Sequence, residues 1–335
     1  MAVEDLTLGL ILALAMLPVA GWASPRFARC IRAGQRIRPE GPADHRGKAG
    51  TPTMGGIVPL ALILAGTGIL WALGPGPSAG GAFVLLSMGL GGVVGLLDDL
   101  RSQRRGTSVG FFPHQTLLTQ ALGAGLLCLL VPTLGEVGLA IPFSAVSLPL
   151  SSLPVGAWIP LVVVGFMGTV NAVNLADGLD GLATGAWLLS VLGLLLAGGG
   201  TELGGIALAA LGAGAGFLWA NAYPARVFLG NVGSMGLGGF LFGIAFASGR
   251  VFLLPFTGGL FVVMALSVIL QVMSYKLTGV RLFKMAPFHH HLEEGEVAWP
   301  HRIRSPGWPE PKVVVRLWLL EAAFALLGVL AGSFA

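Results

Sequence analysis

Two adjacent carboxylates, Asp98 and Asp99, end an otherwise apolar run. Such a pair can hold Mg²⁺ or take a proton, and at a membrane face it is costly enough to need a partner. On these residues alone, an ordinary charged helix end beside Arg101 and Arg104 is an equal reading. A denser group follows. Asn171, Asn174, Asp177 and Asp180 stand with two glycines inside one short stretch, NAVNLADGLDG. The three-residue spacing of Asn174, Asp177 and Asp180 puts them on or near one face of a helix. A helix cap with an acidic first turn would explain one or two of these groups but not all four, so a binding function is favoured.

Three further clusters are weaker singly. Asn221, Arg226, Phe228, Asn231 and Ser234 share a glycine-containing polar turn between apolar runs. Glycines let backbone approach a ligand closely, but alone the turn reads as an interhelical loop. His289, His290 and His291 follow Lys284 and Pro287. Their spacing is not that of a zinc site, and consecutive side chains on a helix diverge, so hydrogen bonding or phosphate contact is the better reading. Lys48, Thr51 and Thr53 precede Gly55 and Gly56 at a helix start, where hydroxyls and N–H groups suit an anion. Capping with a proline turn is the common alternative.

The elements that must carry these residues are apolar. The chain has 335 residues, 55% hydrophobic and 10% charged, whereas a soluble domain carries about 25% charged residues. Ten runs approach the roughly 20 residues that span a bilayer. They are Leu6 to Ala23, Met54 to Leu73, Gly80 to Leu97, Thr116 to Leu134, Val155 to Val173, Leu182 to Ala197, Leu203 to Ala220, Met235 to Ser248, Pro255 to Tyr275 and Val313 to Phe334. Backbone in lipid must bond internally, so an all-α polytopic membrane protein is expected. The 53 glycines suit close helix packing. With ten alternating spans, all Lys and Arg residues but Arg250 fall on one side. The positive-inside rule makes that side cytoplasmic and both termini periplasmic.

The first run follows Glu4 and Asp5 without a basic stretch, so it reads as a retained helix. Cys30 and Cys128 lack metal or redox spacing. The net charge of +4 reflects loops beside anionic headgroups rather than nucleic-acid binding. No repeat or soluble domain interrupts residues 1–335, which read as a single membrane domain. The segment from Arg281 to Lys312 is the longest cytoplasmic loop. Nearly all the unusual polar clusters fall on the cytoplasmic side, which favours surface chemistry over transport, since transporters more often place polar groups at the midplane.

In chain order, HRGKAGTPTMGG, GLLDDL, NAVNLADGLDGLA, NAYPARVFLGNVGS and KMAPFHHHLE resemble the phospho-N-acetylmuramoyl-pentapeptide translocases, from about Lys48 to Glu293. The resemblance implies a multi-pass enzyme of the bacterial inner membrane. Undecaprenyl phosphate attacks the β-phosphate of UDP-N-acetylmuramoyl-pentapeptide, giving lipid I and UMP with Mg²⁺ as cofactor. By the same resemblance Asp98, Asp99, His289, His290 and His291 are catalytic. Lys48, Thr51, Asn171, Asn174, Asp177, Asp180, Asn221, Phe228 and Gln271 bind substrate, and Asn231 joins Asp98 and Asp99 at the metal. A homodimer is compatible with it.

Three positions depart from that pattern. Asn231 stands where the family has Asp, Ser102 where it has Lys, and Thr116 where a basic residue is usual. An amide oxygen can ligate Mg²⁺ but lacks the charge that hard cations favour, so weak metal binding and low activity are expected. The competing readings are a transferase for another sugar phosphate, a binding-only relative, and a flippase. The histidine triplet weighs against the first, the remaining carboxylates against the second, and the uncharged spans against the third.

Overall fold

The computed structural model describes residues 2–31, 50–74, 76–106, 110–198, 201–295, 297 and 299–334. Lys48 lies outside them. Helices account for most of the described chain. They are α1 (Ala2–Cys30), α2 (Ile57–Leu73), α3 (Ala79–Arg105), α4 (Pro113–Leu130), α5 (Val155–Ala176), α6 (Leu182–Leu196), α7 (Thr201–Asn221), α8 (Gly230–Ala247), α9 (Leu254–Thr257), α10 (Gly259–Thr278), α11 (Phe288–Leu292) and α12 (Glu310–Gly332). Eight are long and apolar enough to cross a membrane, and α2 and α6 are shorter apolar helices. Among the described residues the strands form a small antiparallel hairpin, β1 (Gly138–Ala140) and β2 (Ser147–Pro149), with Leu139 opposite Leu148. It is tied to the bundle by Ala140 N–H donating to the Gly249 carbonyl at 2.8 Å and Phe143 N–H to that of Ala331 at 2.9 Å.

Helix α8 is the hub. Its most apolar stretch is 83% buried, against 22% for those of α1 and α10, which offer side chains to the surroundings. A chain with so few charges cannot hold such a helix by ion pairs. It uses glycine instead. A Cβ on Gly95 of α3 would lie 2.1 Å from the Asn231 carbonyl oxygen, and one on Gly239 of α8 would lie 2.2 Å from that of Ser87. Neither backbone could approach the other if those positions carried a side chain. Ser87 Oγ uses the approach to donate to the Gly239 carbonyl at 2.7 Å. Small residues let helix backbones meet in this way where there is no water to drive association. The seam sets the last turns of α3, with Asp98 and Asp99, against the first turn of α8.

The ninth apolar run is broken at Gly258 into α9 and α10. Restarting a helix inside an apolar bundle exposes N–H groups that need acceptors. Glu321 of α12, fully buried, supplies one: its carboxylate accepts from Leu260 N–H at 2.8 Å and from Ser190 Oγ at 2.6 Å.

Candidate active site

Asp99 caps α8. Its Oδ1 accepts from Asn231 N–H at 3.2 Å and its Oδ2 from Val232 N–H at 2.9 Å. A carboxylate there satisfies two orphan donors and meets the positive end of the helix dipole. Gly230, at φ +74°, makes the sharp entry into α8 beside it; a Cβ there would lie 3.0 Å from Asp99 Oδ2. Asp98 faces the side chain of the same residue. Asn231 Nδ2 donates to Asp98 Oδ2 at 2.6 Å, while Phe111 N–H donates to Oδ1 at 2.6 Å. Asn174, in the last turn of α5, completes the group: its Nδ2 donates to Asn231 Oδ1 and to Ser234 Oγ, both at 2.8 Å. Four of the expected site residues, from three segments far apart in sequence, are therefore joined directly.

Asp177 and Asp180 do not share a helix face with Asn174. Helix α5 ends at Ala176, Asp177 is its C-cap, and Asp180 lies in the turn before Gly181 opens α6 at φ +76°. The glycines, which favour a turn over a continued helix, explain the difference. Burial, then the charges of Asp99 and Asp180, push the Asp177 carboxyl up to about 7. Asp180 ties loops together: its N–H donates to Glu310 Oε1 at 2.8 Å and its Oδ2 accepts from Ala225 N–H at 2.9 Å.

Other expected residues hold the scaffold of the site. Asn221 accepts from Thr184 Oγ1 at 3.1 Å and donates to the Val227 carbonyl at 3.0 Å. Asn171 and Gln120 exchange amide hydrogen bonds at 2.7 and 3.2 Å, pinning α5 to α4. Phe228 is half-buried; its N–H donates to the Pro52 carbonyl and its carbonyl accepts from Gly55 N–H. The TPTMGG segment, with Thr51 half-buried at its start, is thereby laced to the entry of α8. Gln103, one turn beyond Asp99, donates to Met54 Sδ at 2.8 Å.

The rings of His289 and His290 lie 4.2 Å apart, centroid to centroid, against the divergence expected of consecutive helical residues, while His291 packs against Phe283 and Phe288. His289 is buried, with Nδ1 3.4 Å from Met264 Sδ and its other edge against the Asp177–Gly181 turn, where a Cβ on Gly178 would lie 2.2 Å from Nε2. His291 Nδ1 accepts from Lys284 N–H at 3.1 Å. Burial, then the His301 and Lys284 charges, hold His291 below its ordinary value. His290 is the least buried of the three and pairs through Nδ1 with Glu293 Oε2 at 2.6 Å. Lys284 is buried, with Nζ on the Glu293 and Gly295 carbonyls, and desolvation lowers its pKa. The loop is docked by a stripe on α10. Gln271 Oε1 accepts from Leu282 and Phe283 N–H at 3.0 and 2.8 Å, and Ser267 Oγ accepts from Phe288 N–H at 2.9 Å.

The donors around Asp98 suit a hard cation in type, being carboxylate and amide oxygens. Burial and the charges of Asp99 and Asp180 oppose ionisation of Asp177, a penalty that a cation beside it would relieve. Among the described residues, however, no three acidic, His or Cys side chains form a ready metal-binding group. Sequence reasoning missed Gln120, Glu310 and Phe111, whose backbone amide does the work, and named Ser234 only as part of a polar turn. Gln120 was visible as a lone amide in an apolar run. Ser234 stood one helical turn from Asn231.

Residues 82–249 match the family described as Glycosyl transferase family 4. A phospho-N-acetylmuramoyl-pentapeptide-transferase of Rhodopseudomonas palustris strain BisA53 is 39% identical over 317 residues, covering 88% of this chain and 84% of the relative. One from strain BisB18 is 41% identical over 321 residues, with the same coverage. The acidic pair at the α8 N-terminus lies inside the matched region, and the relatives extend the likeness over nearly the whole chain: it belongs to glycosyl transferase family 4, among the phospho-N-acetylmuramoyl-pentapeptide-transferases.

Proposed function

We propose that the chain transfers phospho-N-acetylmuramoyl-pentapeptide from UDP-N-acetylmuramoyl-pentapeptide to undecaprenyl phosphate, yielding lipid I and UMP for peptidoglycan synthesis. Family membership supports the reaction. The observation that carries it to these residues is the direct linkage of Asp98, Asp99, Asn231 and Asn174 beside the Asp177 turn. We read residues 1–335 as one transferase domain in the bacterial inner membrane. Ten spans would put both termini in the periplasm and the site at the cytoplasmic face, where a soluble nucleotide and a membrane lipid can meet. A homodimer is compatible with this arrangement.

The chain's own groups divide the work. Asp99, fixed by two backbone N–H groups, holds α8 and with it Asn231 in register. Asp98 orients the acceptor phosphate or takes its proton at a carboxylate oxygen. Asp98, Asp99 and Asp177 would hold Mg²⁺, which when bound offsets charge on the diphosphate as UMP leaves; Asn231 Oδ1, turned to Asn174, could join them only on release of that bond. Glu293 fixes the orientation of the His290 ring through Nδ1, and that ring would contact phosphate oxygens. Lys48, Thr51 and Phe228 would line the nucleotide side, with Asp180, Asn171, Asn221 and Gln271 keeping its walls in place.

A donor panel tests this reading. UMP release from UDP-N-acetylmuramoyl-pentapeptide, with little from UDP-N-acetylglucosamine, is expected when undecaprenyl phosphate is present. The reverse preference would move the chain to another sugar donor. A binding-only protein is the second reading, favoured by the amide that already occupies Asp98; nucleotide binding without UMP release would support it.

A further inference from the structure

The side chain of Asn231 cannot be turned without cost. Its Oδ1 accepts from Asn174 Nδ2 at 2.8 Å, which aims its own N–H₂ at Asp98, 2.6 Å away. Asn174 is held in turn, because the same Nδ2 donates to Ser234 Oγ at 2.8 Å and Ser234 Oγ donates to the Gly230 carbonyl at 3.1 Å. Flipping the Asn231 amide would set N–H against N–H on one side and oxygen against carboxylate on the other. Asp98 is 9% exposed, and its other oxygen is taken by Phe111 N–H. Asp99 is satisfied by two N–H groups of α8. Two neighbouring, nearly buried carboxylates thus have donors on all four oxygens from the protein alone. Charge-assisted hydrogen bonds of this kind are about twice as strong as neutral ones.

We propose that Asn231, aimed by Asn174, is a neutral clamp that stabilises the Asp98–Asp99 pair without a cation and competes with one for Asp98. The proposal rests on the transferase reading for the idea that a divalent cation visits this site. Asn174 is a positioning residue in it, since it acts through the Asn231 amide. Replacing the amide by a carboxylate removes the donor and adds like charge against Asp98, so the site should then depend on a cation to hold together.

The test is thermal unfolding of the full chain in detergent, in EDTA and across a MgCl₂ series balanced with NaCl. Asn231→Asp is expected to melt below the parent in EDTA. It should gain more from Mg²⁺, reaching half its gain at about tenfold lower Mg²⁺, as the added carboxylate dictates. Asn174→Ala, which frees the amide to turn, should respond to Mg²⁺ more than the parent and serves if Asn231→Asp does not fold. Equal Mg²⁺ responses in parent and variants, or an Asn231→Asp protein no less stable in EDTA, would overturn the clamp. UMP release by the same preparations reports the reaction separately. Turnover with equal cation responses sinks the clamp alone, and unequal responses without turnover in any protein sink the reaction alone.

Discussion

Asn231 and Asp98 are joined side chain to side chain, amide nitrogen to carboxylate oxygen, at 2.6 Å. The bond spans the end of α3 and the start of α8, two helices that touch along a glycine seam. What a polar residue can do at this site is therefore set by how closely two backbones approach.

Asp99→Ala removes the cap of α8 along with a reacting-site carboxylate. Loss of a cap costs about 1 kcal/mol, up to about 2. Thermal unfolding should show that modest loss, while UMP release should fall to background. An active Asp99→Ala protein would remove Asp99 from the site.

Gly95→Ala inserts a Cβ 2.1 Å from the Asn231 carbonyl oxygen. Overpacking of this kind costs roughly 1–3 kcal/mol, and here the obstacle is backbone. The variant should melt earlier and lose activity together, with Gly68→Ala, which meets nothing, as the silent control. A fully active, fully stable Gly95→Ala protein would mean the seam is looser than described.

Gln271→Leu leaves the Leu282 and Phe283 N–H groups without their acceptor, at about 1–3 kcal/mol for groups kept from water. The loss should be local. Hydrogen exchange should rise across residues 281–293 with α3 and α8 unchanged, and UMP release should drop. Unchanged exchange in the loop would show that Gln271 does not dock it.

Loop docking should also weaken in acid. His291 is held below its ordinary value of 6.5 in the folded chain. Between the two values the undocked loop binds more protons, so docking is strongest above pH 6.5 and is lost as pH falls below it. Trp299, whose indole N–H donates to the Lys284 carbonyl at 2.8 Å, reports the change by fluorescence. His291→Gln should flatten that profile, and a profile unchanged by the substitution would exclude His291 as its source.

The sequence made the apolar elements legible because lipid permits little else. All ten runs reappear as helices, though the ninth is split at Gly258, where Glu321 can accept from the restarted helix. That partnership joins residues 61 positions apart and leaves no local mark. The site was legible as a set of residue types and an order of motifs. Their partners were not. Nothing in the spacing of Asn174 and Asn231 announces a hydrogen bond across 57 residues, and the Asp99 cap depends on backbone N–H groups that every sequence possesses. Asp177 and Asp180 were expected on one helical face, but the ADGLDG glycines end the helix first.

The most direct test of the central claim is UMP release by the purified chain given UDP-N-acetylmuramoyl-pentapeptide, undecaprenyl phosphate and Mg²⁺, with Asn231→Asp and Asp99→Ala alongside. Release that requires both substrates, rises in Asn231→Asp and vanishes in Asp99→Ala is the predicted result. No release from either the parent or Asn231→Asp, in preparations shown to be folded, would contradict the assignment of this reaction to the chain.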